Sequence, residues 1–195
     1  MELEDRIVQQ FHHSMEINAQ TIEQFTPMIA TASTQILQCL ISEQKILCAG
    51  NGASGSLAQH FGSLLINRYR HERPGLPIIT LNSDSIAMSA IAEDSGFADI
   101  YSKQIRAFGM PGDILLAVSA NGRSANLVQA IQAAHDREMT VISLTGADGG
   151  NMTALMRPDE TEICIACDDE VLVHHAHLLI LHTLADLIDF QLFGA

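Results

Sequence analysis

Asp113-Ile114-Leu115-Leu116-Ala117-Val118 runs without a break into Ser119-Ala120-Asn121-Gly122-Arg123-Ser124-Ala125-Asn126. The first stretch is a continuous aliphatic run, too short for a buried helix and apolar on both faces of a strand. The second is small and polar, and it opens a helical pattern over residues 123–137. The same alternation surrounds it. Lys45-Ile46-Leu47-Cys48-Ala49 precedes a helix over 53–70, and Pro77-Ile78-Ile79-Thr80-Leu81 precedes helical pieces over 84–93 and 97–108. Thr140-Val141-Ile142-Ser143-Leu144 precedes a short helix near 151–156. Glu162-Ile163-Cys164-Ile165 precedes a helix over about 170–191. Five buried strands separated by helices predict a five-stranded parallel sheet in a three-layer αβα sandwich.

Residues 1–43 differ. Ile7, Phe11, Met15 and Ile17 fit one helix face, and Ile29, Ile36, Leu37, Leu40 and Ile41 fit another. Thr26-Pro27 predicts a break between two helices. This apolar extension predicts packing against another subunit. No linker or internal repeat divides the 195 residues, so 1–195 reads as one domain with 1–43 as an oligomerisation element.

Composition narrows the function. Ten Lys and Arg face 23 Asp and Glu, for a net charge of −13, which argues against general nucleic-acid binding. Hydrophobic residues at 47% support a full core. The acidic start Met1-Glu2-Leu3-Glu4-Asp5 is unlike a secretory signal, and no long charge-free apolar run follows, so a cytoplasmic location is expected. Cys39, Cys48, Cys164 and Cys167 read as reduced core cysteines rather than as disulfides or a zinc half-site.

Ligands of parallel sheets sit beyond the carboxyl ends of the strands. Three loops there are rich in Gly, Ser and Asn: residues 50–56, 119–126 and 145–150. Free N–H groups at a helix start, with Ser and Asn side chains, make an anion site. None of the loops carries the Gly-Lys-Ser/Thr of a nucleotide phosphate loop. Gly50-x-Gly52-x-x-Gly55 fits a dinucleotide fingerprint in form, but the acidic candidate, in Asn82-Ser83-Asp84, comes about ten residues too late.

Gly50-Asn51-Gly52-x-Ser54, Ala58-Gln59-His60-Phe61, Asn67-Arg68-Tyr69, Gly122-x-Ser124-Ala125-Asn126 and Leu144-Thr145-Gly146-x-Asp148-Gly149-Gly150 resemble the sugar isomerase (SIS) family. More narrowly, they are similar to the phosphoheptose isomerases and the DnaA initiator-associating proteins. The resemblance implies a flavodoxin-like sheet order, a homotetramer and a seven-carbon sugar phosphate as ligand. It implies a substrate set of Asn51, Gly52, Ala53, Arg68, Glu93, Asp94, Ser119, Ala120, Asn121, Ser124 and His174. The family's acid–base pair is a Glu one turn after the motif histidine and a His on the last helix. Here the motif histidine is His60 and the last-helix histidine is His182, but the Glu position holds Leu64. Ala120 and Asn121 replace hydroxyl residues of the isomerases, and Glu93 replaces an Asn.

Some members hold zinc, and the resemblance offers His60, His174 and His182 as the surviving ligand set, with His175 as a fallback. Residues 174 and 182 diverge by about 80° on a regular helix, which is the main objection. In the initiator-associating branch, partner contacts lie near the C-terminus, which implies Leu192 and Phe193 here. Two functions are therefore expected: a non-catalytic SIS protein that binds DnaA, or an active isomerase of sedoheptulose 7-phosphate. In the second, Glu93 or His174 would replace the missing base.

Overall fold

The structure, a computed structural model, describes residues 2–194. In chain order the elements are α1 (Leu3–Ile41), β1 (Ile46–Gly50), α2 (Gly52–Ile66), β2 (Ile78–Thr80), α3 (Ser85–Ser95), α4 (Ser102–Phe108), β3 (Ile114–Val118), α5 (Ala125–Asp136), β4 (Thr140–Gly146), α6 (Gly150–Thr153), β5 (Thr161–Ile165) and α7 (Glu170–Phe193). A 3₁₀ turn at Phe97–Asp99 separates α3 from α4. The five strands are parallel in the order β2-β1-β3-β4-β5, as expected for a flavodoxin-like sheet.

The alternation of side chains along each strand divides the core into two layers. Cys48, Leu116, Ile142 and Ile163 face α1, α2 and α7. Leu47, Leu115 and Val141 face α4 and α5. β1 therefore hands the chain to a helix on one face, while its neighbour β3 hands it to a helix on the other. That reversal opens a crevice between the two carboxyl ends.

The expected pair of N-terminal helices is a single helix of 39 residues with Pro27 inside it. The proline removes one backbone donor. Packing of the C-terminal part of α1 on α7 outweighs that loss, with Ala32, Ser33, Ile36 and Cys39 buried. The amino-terminal half makes no comparable contact, and Leu3, Ile7, Val8, Phe11 and Met15 are exposed.

α2 stops at Ile66, short of the expected residue 70, because a side chain takes its last carbonyls. Arg73 donates to Leu64 O (2.9 Å) and Leu65 O (2.6 Å) and pairs with Asp189 (2.9 Å), both side chains being almost fully buried. α7 begins at an N-cap, Asp169, which accepts from Val171 N, and ends at Gly194 in the left-handed region. By length and composition α7 could cross a membrane, but half of its most apolar window is buried in the body, as in a core helix. All four cysteines are free thiols. Cys39 and Cys48 are core residues, whereas Cys164 and Cys167 are only half-buried, since the end of β5 emerges into a loop.

His177 is fully buried, and its Nε2 lies 3.0 Å from Thr145 O. Burial pushes its pKa down to about 4. Between pH 7 and 5 the unfolded chain takes up a proton that the folded chain refuses, so acid favours unfolding. This one group is expected to cost ~2 kcal/mol over that interval. His177→Gln, which keeps an N–H donor, should flatten the dependence in urea titrations at fixed protein concentration. An unchanged slope would contradict this assignment.

Candidate functional site

The crevice predicted by the topology holds a cavity of about 300 Å³. It is lined by Asn51, Gly52, Ala53, Ser54, Ser119, Ala120, Asn121, Ser124, Glu170 and His174. Eight of the eleven expected substrate residues thus meet in one place. Two were not anticipated as site residues: Ser54, although it stands in the quoted motif, and Glu170. Glu170 offered no signal beyond being an acidic residue at a helix start, where such residues are common.

Each wall is fixed from below. Asn51 and Asn126 exchange two side-chain amide hydrogen bonds (2.8 and 2.9 Å), which tie the β1 loop to the start of α5. Beneath them the buried Tyr101 hydroxyl donates to Gly50 O (2.5 Å) and lies 3.1 Å from Asn51 Oδ1. Asn82 Nδ2 donates to the same hydroxyl (2.8 Å) and to Gly50 O (2.7 Å). Burial raises the Tyr101 pKa to about 12, so the hydroxyl keeps its proton. Gly55 is obligatory for spacing, because a Cβ there would sit 2.7 Å from Gly50 O. Gly122 has φ +65°, and a Cβ there would collide with Gly149 O, so the loops after β3 and β4 touch only through glycine.

Within the cavity, Ser119 Oγ accepts from Gly122 N (3.0 Å). Ser124 is the N-cap residue of α5, yet its hydroxyl makes no capping bond. Ser54 Oγ lies 3.1 Å from His174 Nε2. Burial is the main reason the His174 imidazole titrates below the usual range; Glu170 opposes the shift and His175 adds to it. The amino ends of α2 and α5 both open on this space. Their unpaired N–H groups and hydroxyls suit an anion such as a phosphate monoester.

Arg68, Glu93 and Asp94 do not line the cavity of this chain. Arg68 is exposed and paired with Glu72 (2.7 Å). Glu93 and Asp94 are exposed on α3. Position along the chain does not carry them to the crevice, because α3 follows the edge strand β2.

His60 and His182 form a second cluster. Their Nε2 atoms are 2.8 Å apart and the rings meet edge to face. The His182 pKa is lowered, first by burial and then by His60 and Arg70. Arg70 stacks on Tyr69 and pairs with Asp186 (3.4 Å). Leu64, one turn beyond His60, packs against the core and offers no polar group.

The three expected zinc ligands do not converge. Ser54–His174 and His60–His182 are successive cross-links between α2 and α7, separated by six residues on one helix and eight on the other, or ~9–12 Å of helix. The divergence expected from helical geometry is what the structure contains. The His60–His182 distance is that of a hydrogen bond between the two rings. Among the described residues, no group of three or more His, Cys, Asp or Glu could hold a metal ion. The donor set of the described residues does not fit zinc. Glu93, one candidate replacement base, is likewise absent from the cavity, whereas His174, the other, lines it.

Leu192 packs against the core, while Phe193 is 43% exposed beside the more exposed Phe190.

The SIS domain family matches residues 10–146. The chain is 48% identical to a phosphoheptose isomerase of Chromohalobacter salexigens, across all of this chain and 99% of the relative. It is 43% identical to the DnaA initiator-associating protein DiaA of Cronobacter sakazakii, across 97% of this chain and 96% of the relative. Among solved structures, a phosphoheptose isomerase from Francisella tularensis superposes with a TM-score of 0.94 at 39% identity, covering 97% of this chain and 99% of that one.

Proposed function

The chain belongs to the SIS-domain family, in the subfamily of phosphoheptose isomerases and DnaA initiator-associating proteins, and from that premise we propose that it is a non-catalytic sugar-phosphate-binding member that associates with DnaA in the cytoplasm. The observation that carries this reading is the pairing of a polar cavity with an apolar Leu64 where the resemblance to the isomerases implies a carboxylate. Moving a carbonyl between C2 and C1 requires a base beside the carbon and an acid at the oxygen. The cavity supplies hydroxyls, amides and helix N-termini, which suit a phosphorylated polyol, together with the His174 imidazole and the Glu170 carboxylate. Position 64, one turn beyond His60, offers no carboxylate to take the proton.

A homotetramer accompanies this reading. The apolar stripe on the outer half of α1 has no partner in its own subunit, and a second copy would cover it. Phe193 is the contact proposed for DnaA, since an exposed aromatic ring beside Phe190 can anchor in a partner's pocket. Phe193→Ala is expected to weaken DnaA binding by ~1–2 kcal/mol in calorimetry, while light scattering still reads a tetramer. Unchanged affinity removes Phe193 from the proposal, and no binding by the unaltered protein removes DnaA.

A second reading, an active isomerase of sedoheptulose 7-phosphate, is favoured by one observation. His60 and His182 are in direct hydrogen-bond contact, so one imidazole can pass a proton to the other. That pair would have to act without the carboxylate.

A further inference from the structure

The cavity contains a charge that a simple phosphate site would avoid. Its lining includes no Lys or Arg, and its one carboxylate is Glu170, the first residue of α7. Glu170 Oε1 accepts from Asn121 Nδ2 at 2.9 Å. The other end of that amide is also engaged, since Arg123 N donates to Asn121 Oδ1 at 3.1 Å. The Arg123 guanidinium turns away and holds both oxygens of Asp148 (3.0 and 3.1 Å). An anion entering the cavity therefore meets a carboxylate, and it meets an Asn121 donor already committed to that carboxylate.

We propose that Glu170 is a specificity-determining residue of this cavity, which discriminates against free phosphate and favours ligands that bring hydroxyl donors beside their anionic group. This rests on the sugar-phosphate reading above. Inorganic phosphate gains the helix N-termini and the Ser124 hydroxyl but must bear the repulsion of Glu170. A sugar phosphate meets the same repulsion and offsets it, because a carboxylate is a strong acceptor for sugar hydroxyls. In exchange for the Asn121 amide, Glu170 accepts from the sugar, and Asn121 Nδ2 is released to the ligand. Asn121 and Glu170 thus act together as a clasp across the β3 loop and the start of α7.

The test is Glu170→Gln, which keeps size and hydrogen bonding and removes the charge; the Asp169 cap of α7 is untouched. Inorganic phosphate and sedoheptulose 7-phosphate are titrated into both proteins by calorimetry. Glu170→Gln is expected to bind inorganic phosphate ~3–10-fold tighter, as removal of one partly screened charge implies. Sedoheptulose 7-phosphate should gain less or weaken, so the preference for sugar phosphate over phosphate falls by ~3-fold or more. The gain for phosphate should shrink at about 0.5 M salt, which a purely structural change would not do. If the unaltered protein binds the sugar phosphate and the substitution moves both ligands equally, or neither, Glu170 has no selective role and the sugar-phosphate reading stands. If the unaltered protein binds neither ligand, that reading fails and this proposal fails with it.

Discussion

Leu64→Glu is expected to raise turnover of sedoheptulose 7-phosphate by ~10²-fold or more over the unaltered protein, within the range that acid–base groups contribute. The reason is local. Position 64 lies one helical turn beyond His60, so a carboxylate there falls beside the His60–His182 pair. The substitution gives up part of the apolar burial of Leu64, ~1–2 kcal/mol for a half-buried side chain. The protein should nevertheless fold, because its fully buried neighbours, Phe61 and Leu65, remain in the core. Product formation followed by NMR reads the outcome. No gain in a folded variant that still binds the sugar phosphate would mean that more than the carboxylate has been lost.

The second large effect is on stability. Arg73→Ala is expected to cost ~3–5 kcal/mol in urea unfolding, since it strands a buried carboxylate. Asp189 is 4% exposed, and its Oδ2 already has no partner, so the Arg73 guanidinium is the group that neutralises it. The same side chain holds the carbonyls of Leu64, Leu65 and Pro74, and so closes α2 and fixes the chain returning to β2. Lysine should restore the charge but only part of the stability, because one ammonium cannot fork to carboxylate and carbonyls together. Asp189→Asn in the Arg73→Ala background should recover part of the loss, since it removes the unpaired charge. A cost below about 1 kcal/mol for Arg73→Ala would show that water satisfies the carboxylate instead.

What was legible in the sequence follows from periodicity and turn chemistry. β1, β3 and β4 were continuous apolar runs because both faces of the sheet are covered, and each was followed by small polar residues that could only be a loop over a helix start. Eight cavity residues were implied by the family resemblance; loop position accounts for seven of them, because the loops after β1 and β3 converge where neighbouring strands send their helices to opposite faces, whereas His174 comes from α7. Pro27 is a local breaker, but packing of α1 on α7 overrides it. For the three histidines helical spacing is the better guide than the resemblance: it sets His174 and His182 on different faces of α7, and tertiary packing does not bend the helix to join them. Glu170 was invisible because its role depends on Asn121, which lies 49 residues earlier and meets it only across the crevice. Arg73 gives no local sign of its role, since its burial against Asp189 links positions 116 residues apart.

We propose that this SIS protein retains a sugar-phosphate site but, with Leu64 in place of a carboxylate, does not isomerise what it binds. The most direct measurement is calorimetric binding of sedoheptulose 7-phosphate to the unaltered protein, paired with NMR detection of the aldose product in the same sample. Saturable binding with product formation at the uncatalysed rate is the predicted result. Product formation at ordinary enzyme rates, on the order of 1–10³ per second, would contradict it.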